Sequence, residues 1–219
     1  MNRNDVLIVI GHNGHPKFVE MAEISASWID KYQYPYVVFQ TAEKRYKKYP
    51  FHMKYEMLKK AMEAFNHKWY VWMDADSFMV NPIDELFTDD YDVGVPLKEK
   101  GVPKSNQHGS HMYAGLSVWR KGLKATWTLE RYGERRYSCD QKQLHVIVGK
   151  YIEFDDKFYD RAWEVISTPN FDLKLFPQDE YFHMTAIQEM RKWEDHIKII
   201  HFKGRELQKK WDEYKRFLV

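Results

Sequence analysis

A short, continuously apolar segment near the N-terminus is the feature that most restricts how this chain can fold. Every residue from Val6 to Ile10 is valine, leucine or isoleucine, and the run stops at Gly11-His12-Asn13-Gly14. This pattern is typical of a parallel strand that is buried on both faces and ends in a tight loop. Pro16 then favours the start of a helix, because proline is well tolerated in the first turn. The chain therefore opens with a strand, a loop and a helix.

The same alternation continues along the sequence. Further strands are predicted at residues 37–39, 69–73, 92–95, 116–119 and 197–202. Helices are predicted from Pro16, over residues 51–65 and 140–148, and around residues 182–193. The second helix has one apolar stripe at helical spacing, formed by Phe51, Tyr55, Leu58, Met62 and Phe65. Strands that alternate with helices indicate an α/β fold with a mostly parallel sheet covered on both faces, and we expect a single domain over residues 1–219.

Composition excludes several functional classes. The 219 residues are 44% hydrophobic, which is too apolar for a disordered chain. The net charge of +2 lacks the basic excess of a protein that binds nucleic acid through electrostatics. The single cysteine, Cys139, excludes an internal disulfide framework and fits a reducing compartment. No apolar run is long enough to span a membrane, so we expect a cytoplasmic protein.

Two carboxylates follow the central apolar strand directly, in the segment Trp72-Met73-Asp74-Ala75-Asp76-Ser77. In an extended backbone, residues i and i+2 point the same way, so Asp74 and Asp76 are expected to converge. Two close carboxylates repel each other unless a cation or a proton lies between them. Mg²⁺ or Mn²⁺ suits such oxygen ligands and bridges to substrate phosphates. The alternative is a polar turn in which Asp76 or Ser77 caps the following element.

The strand that ends in Ile200-His201-Phe202 provides a third candidate ligand. Imidazole binds Mn²⁺ alongside carboxylates, and a histidine at a strand end can project into the same crevice as Asp74 and Asp76. The alternative for His201 is a half-buried structural histidine.

These motifs resemble those of the GT-A fold glycosyltransferases. The Asp74-Ala75-Asp76 segment is most similar to the retaining families that include glycogenin and the bacterial lipopolysaccharide galactosyltransferases. His201-Phe202-Lys203-Gly204-Arg205 is similar to a segment near the end of the glycogenin-like enzymes. The resemblance implies a GT-A, Rossmann-like fold and makes Asp74, Asp76 and His201 the metal ligands, with Asp74 and Ala75 also beside the donor.

The basic residues after His201 depart from the family pattern. The related enzymes carry a diphosphate-binding lysine six residues after the histidine, where this chain has Leu207. Lys203 and Arg205, around Gly204, are the alternative donor-binding cations. A solvated basic turn is the other interpretation of this segment.

The resemblance also places residues around the donor sugar. It puts Ala114 and Gly115 close to the sugar, where Tyr113 replaces the family's asparagine, and Asp140 and Gln141 beside the anomeric carbon. From its position alone, Asp140 is also a candidate helix N-cap. Related plant-type transferases carry a donor-side lysine at a spacing similar to that of Lys54. The loop with Gly11 and Asn13 lies where GT-A enzymes hold the nucleotide base, although a tight turn explains it equally well.

The resulting prediction is a metal-dependent glycosyltransferase, retaining by resemblance, that uses a nucleotide-sugar donor (a UDP-sugar) and a glycan or glycoprotein acceptor. Its donor-binding part covers residues up to about 95 and its acceptor-side part residues 96–219. A compact domain of this kind also occurs in glycan-building proteins of large algal viruses, which adds rhamnose to the candidate sugars and host cytoplasm to the candidate locations. Two alternatives stay open: a non-catalytic module that binds a nucleotide-sugar or a glycan, and a phosphohydrolase of the haloacid dehalogenase type.

Overall fold

A seven-stranded mixed sheet organises the protein, as seen in a computed structural model that describes residues 1–40, 52–98, 111–132, 140–181, 196–202 and 211–218. The strands are β1 (Val6–His12), β2 (Tyr36–Gln40), β3 (Trp69–Asp74), β4 (Ser77–Met79), β5 (Val93–Leu97), β6 (Leu116–Arg120), β7 (Val165–Ser167), β8 (Asp172–Pro177) and β9 (Ile199–His201). The sheet has the order β2-β1-β3-β6-β5-β8-β7, and β4 pairs with β9 in a separate two-stranded ribbon.

Six α-helices accompany these strands in the described part of the chain. They are α1 (Pro16–Lys31), α2 (His52–Ala64), α3 (Leu123–Tyr132), α4 (Asp140–Val148), α5 (Gln178–Tyr181) and α6 (Trp211–Tyr214). Short 3₁₀ helices cover Arg3–Asp5, Asp84–Phe87, Asp156–Asp160 and Lys215–Phe217. No helix of the described residues is long and apolar enough to cross a membrane.

Alternation along the central strands places the helices on both faces of the sheet. In β1, Leu7 and Val9 pack into one core with α2 and α4, whereas Val6, Ile8 and Ile10 pack into a second core with α1. Successive side chains of a strand point to opposite faces, so an unbroken apolar run fills two cores at once. A third core joins α1 to the β4–β9 ribbon and to α6.

The predicted α/β fold is confirmed, with a mixed sheet in which half of the strand pairings are parallel and not most of them. β1 pairs with β2 and β3 in parallel, and β5 pairs in parallel with β8. The other three pairings of this sheet, β3–β6, β5–β6 and β7–β8, are antiparallel. Because β6 runs antiparallel to β3, the segment before Leu116 lies next to the C-terminal end of β3.

Most predicted elements are present, with shifted ends. Helices α1 and α4 begin where predicted, and the predicted helix around residues 182–193 lies outside the described residues. Phe65 is not part of a buried stripe, because α2 ends at Ala64 and leaves the Phe65 ring 38% exposed. Strands β4, β7 and β8 and helices α3, α5 and α6 were not predicted. The first two have three residues each, too few for a periodic pattern, and β8 contains the buried Lys174.

The packing of β5 against β8 gives a first testable prediction. A Cβ atom at Gly94 would lie 2.3 Å from Cζ of Phe176, and Tyr91 packs on the same side. We therefore expect Gly94→Ala to destabilise the fold by about 1–3 kcal/mol, the usual cost of overpacking a core. Gly122→Ala is the matched control, because a Cβ atom there has no neighbour within 4 Å. Urea unfolding measures both, and equal stability of the two variants would contradict the prediction.

Candidate metal and donor site

The C-terminal end of β3 carries the first carboxylate of the candidate site. Asp74 is the last residue of β3, and its backbone N–H donates to the Gly115 carbonyl oxygen at 2.9 Å. Trp72 lies two residues earlier in the same strand, so both side chains point to the α2 side of the sheet. The indole Nε1 of Trp72 donates to Oδ1 of Asp74 at 2.7 Å.

Asp76 is brought to the site by a turn and not by the expected alternation of strand side chains. Ala75 and Asp76 form a turn between β3 and β4, so the extended i, i+2 relationship does not extend to Asp76. The turn reverses the chain into β4, and the Asp76 carbonyl oxygen accepts a hydrogen bond from the Phe202 N–H at 2.9 Å. The two carboxylates therefore come together through a tight turn and not through a continuous strand.

The β4–β9 ribbon brings His201 to the carboxylates. Ser77 pairs with His201, and Phe78 pairs with Ile200. This register places Nε2 of His201 3.1 Å from Oδ1 of Asp76 and 3.9 Å from Oδ2 of Asp74. The imidazole is only 4% exposed. The ribbon thus holds a buried histidine against two partly exposed carboxylates.

The residues of this cluster fit a hard divalent cation. One ligand atom from each of Asp74, Asp76 and His201 lies within 4.8 Å of the others. Two atoms bound at about 2.1 Å to one octahedral ion lie roughly 3–4 Å apart, which agrees with the separations from His201. Two carboxylate oxygens and an imidazole nitrogen suit Mn²⁺ or Mg²⁺ better than a thiophilic metal. The cluster is the predicted ligand set, and the fold supplies the proximity that a cation would need.

Lys54 is a buried part of the same cluster. Its side chain projects from α2, is 3% exposed as a residue, and places Nζ 3.1 Å from Oδ1 of Asp74. Nζ also donates to the Ala114 carbonyl oxygen and lies 5.5 Å from the centre of the Trp72 ring. Lys54 is therefore not a solvated helix lysine. A buried ammonium needs such partners, and here it offsets part of the negative charge of the two aspartates.

The segment before β6 forms the adjoining wall. Tyr113, Ala114 and Gly115 lead into β6 and are buried at the end of β3. The carbonyl oxygens of Ala114 and Gly115 face Lys54 and Asp74, as described above. The backbone of the predicted sugar-facing segment thus lies beside Lys54 and Asp74.

A cavity of about 320 Å³ opens next to the cluster. It is lined by Gly11, His12, Asn13, Phe18, Met53, Lys54, Trp72, Asp74, Ala75 and Asp76. The predicted donor residues Gly11, Asn13, Lys54 and Ala75 therefore share one cavity with both aspartates. Sequence reasoning missed His12, Phe18, Met53 and Trp72. Only Trp72 had a usable signal, because a residue two positions before Asp74 in a strand shares its face.

The N-terminal loop begins later than its sequence indicates. Strand β1 continues through His12, so Gly11 lies in the strand and not in the loop. A Cβ atom at Gly11 would lie 2.4 Å from Cη2 of Trp72 and 2.5 Å from Sδ of Met57. The glycine is therefore required for the packing of the indole ring. Burial lowers the pKa of His12, and its Nδ1 accepts a hydrogen bond from the Gly14 N–H.

Other predicted site residues fall partly or fully outside the described part of the chain. Asp140 and Gln141 form the start of α4, but their side chains are outside the description. Lys203, Gly204 and Arg205 follow Phe202 and lie entirely outside it. Their roles at the sugar and at the diphosphate stay predictions.

Known structures share this architecture. No protein-family model and no curated protein sequence matches the chain. A glycosyltransferase involved in glycosylation of the major capsid of PBCV-1 superposes with a TM-score of 0.64 at 11% identity, over 94% of this chain and 98% of that one. The galactosyltransferase LgtC gives 0.51 at 10% identity, over 97% and 95%. The bifunctional glycosyltransferase WbbM gives 0.57 at 12% identity, over 98% of this chain and 49% of WbbM. At such identities the likeness establishes the fold, which is the GT-A fold of glycosyltransferases.

Proposed function

We propose that this chain, with its GT-A fold, is a metal-dependent glycosyltransferase that moves a sugar from a nucleotide-diphosphate sugar to a hydroxyl group of a glycan or glycoprotein. A UDP-sugar is the proposed donor, and retention of anomeric configuration is the proposed outcome. The observation that carries the proposal is the cluster of Asp74, Asp76 and His201, whose two aspartates also line a cavity. Oxygen-rich cation sites of this kind bind substrate phosphates in proteins.

The cluster defines how the donor would be held. Asp74, Asp76 and His201 would hold Mn²⁺ or Mg²⁺, which when bound neutralises charge on the diphosphate leaving group. Lys54 holds the Asp74 carboxylate in place, because its ammonium group forms an ion pair with Oδ1. The proposed binding site for the nucleotide is the adjoining cavity, where Gly11 and Asn13 lie at the end of β1.

The remaining proposed roles follow from the resemblance to GT-A enzymes. Asp140 and Gln141 are proposed to contact the sugar and to stabilise positive charge that develops at the anomeric carbon. Lys203 or Arg205, next to Gly204, is proposed to contact the diphosphate. The backbone of Ala114 and Gly115 forms the wall beside the sugar, where small side chains allow close approach.

The organisation of the chain is part of the same proposal. Residues up to about 95 form the donor-binding part, and residues 96–219 form the acceptor-side part. A reducing, cytoplasmic location agrees with the single cysteine, Cys139.

Calorimetric titration of a panel of nucleotides and nucleotide-sugars, with and without Mn²⁺, tests the proposal. We expect wild-type protein to bind UDP or a UDP-sugar only with the metal, because the diphosphate and the aspartates repel each other without it. Asp76→Ala is expected to abolish this binding. Asp30→Ala is the matched control, since Asp30 is an exposed aspartate of α1 away from the cluster.

The outcomes separate the proposed class from its alternatives. Metal-dependent nucleotide binding that Asp76→Ala removes and Asp30→Ala retains supports the transferase. Binding with neither transfer to an acceptor nor hydrolysis of the donor would indicate a non-catalytic module. Absence of nucleotide binding with every metal would overturn the proposal, and phosphatase assays would then test the haloacid dehalogenase alternative.

A further inference from the structure

We propose that Trp72 is a positioning residue for the metal site, which it serves by fixing the rotation of the Asp74 carboxylate. Its indole N–H holds Oδ1, so that Asp74 offers only Oδ2 to the cation. This inference rests on the proposed metal-dependent function. The resemblance to glycosyltransferases assigned no role to Trp72.

Two donors converge on a single oxygen of Asp74. The indole Nε1 of Trp72 lies 2.7 Å from Oδ1, and Nζ of Lys54 lies 3.1 Å from the same atom. The other oxygen, Oδ2, is directed towards His201, with 3.9 Å between Oδ2 and Nε2. A carboxylate whose one oxygen accepts a hydrogen bond and also forms an ion pair cannot rotate without losing both contacts. The carboxylate is therefore held with one oxygen towards the protein and one towards the cluster.

The indole itself is rigidly placed. Trp72 is 1% exposed in the middle of the sheet, and its six-membered ring packs against Gly11 and Met57. A side chain at position 11 would occupy the space of this ring, because its Cβ atom would lie 2.4 Å from Cη2. The Nζ atom of Lys54 lies over the Trp72 ring, 5.5 Å from the ring centre. Backbone packing in β1 thus fixes the donor that orients Asp74.

This arrangement has a consequence for metal selectivity. Ca²⁺ readily accepts both oxygens of one carboxylate, whereas Mg²⁺ demands near-ideal octahedral geometry and shorter bonds. An Asp74 held to one ligand oxygen suits Mn²⁺ or Mg²⁺ and is a poor ligand for Ca²⁺. Loss of the indole hydrogen bond frees the carboxylate to rotate, so the preference for Mn²⁺ over Ca²⁺ is expected to fall.

Trp72→Phe tests the inference, because it retains a buried aromatic ring and removes the N–H. Mn²⁺ and Ca²⁺ affinities of the protein without nucleotide are measured by calorimetry, together with the thermal unfolding midpoint. We expect about a 10-fold loss of Mn²⁺ affinity, the lower end of what removal of a partner of a metal ligand costs, and a smaller loss for Ca²⁺. Trp119→Phe is the control, since Trp119 is equally buried on the same side and its Nε1 donates to Ser117 Oγ at 2.9 Å.

The outcomes distinguish this inference from the proposed function. A wild type that binds no Mn²⁺ overturns both. A wild type that binds Mn²⁺ and a folded Trp72→Phe variant that binds it equally well overturn the positioning role alone. An equal loss of Mn²⁺ and Ca²⁺ affinity, matched by Trp119→Phe, indicates general loosening of the core and also overturns it.

A second measurement keeps the inference testable if Trp72→Phe does not fold. The eight tryptophans give separate indole N–H signals in a ¹H–¹⁵N spectrum of wild-type protein. We expect one of these signals to broaden first at low Mn²⁺, and the same signal to shift and exchange faster in Asp74→Ala. If no indole signal responds to both the metal and the loss of Asp74, the inference fails.

Discussion

His201→Ala is expected to lower the rate of sugar transfer by about 1000-fold, since the loss of one ligand from the metal site removes several kcal/mol of charge stabilisation. The imidazole Nε2 lies 3.1 Å from Oδ1 of Asp76, and His201 is buried at the end of β9. Its removal takes away the nitrogen ligand of the site and the imidazole contact with Asp76. Transfer to an acceptor with saturating Mn²⁺ measures the effect, and calorimetry measures the accompanying loss of Mn²⁺ affinity.

His196→Ala provides the matched control for this variant. His196 is exposed and lies just before β9, so its removal changes the same connection without touching the cluster. We expect its transfer rate and its Mn²⁺ affinity to stay close to those of the wild type. Near-wild-type activity of His201→Ala would show that His201 is a structural histidine and would leave the two aspartates as the ligand set.

Phe78→Ala is expected to destabilise the fold by about 3–5 kcal/mol, the usual cost of deleting a buried phenylalanine ring. Phe78 is fully buried in β4, where its ring stacks on Trp211 and contacts the edge of Phe202. The residue before it, Ser77, is the partner of His201 across the ribbon. Because the ring anchors this ribbon, we also expect the variant to bind Mn²⁺ more weakly at temperatures where it is still folded.

Phe158→Ala separates the two effects of the Phe78 variant. Phe158 is equally buried, but it packs in the core on the other face of the sheet, with Phe154 as a neighbour. We expect a similar loss of stability by urea unfolding and no selective loss of Mn²⁺ affinity. If both variants weaken metal binding equally, the ribbon has no special role and the effect reflects global stability.

The positions of several elements could be derived from the sequence because their signals are local. The apolar run from Val6 to Ile10 specifies a strand that is buried on both faces, and the structure places its side chains in two cores. Pro16 marks the start of α1, and Asp140 marks the start of α4. Strand β3 ends at Asp74, one residue beyond its predicted end. In each case, neighbouring residues determine the backbone and the face of the element.

The sequence by itself determined the α/β pattern of strands and helices, and it identified the residue types of a candidate metal site. Only the tertiary structure decided that these residues meet. The turn at Ala75 and Asp76 and the antiparallel pairing of Ser77 with His201 place the imidazole beside the carboxylates. The structure also showed that Lys54, a candidate donor-side lysine in the sequence, is a buried ion-pair partner of Asp74. Contacts between residues far apart in the chain depend on strand order and register, and local periodicity carries no information on either.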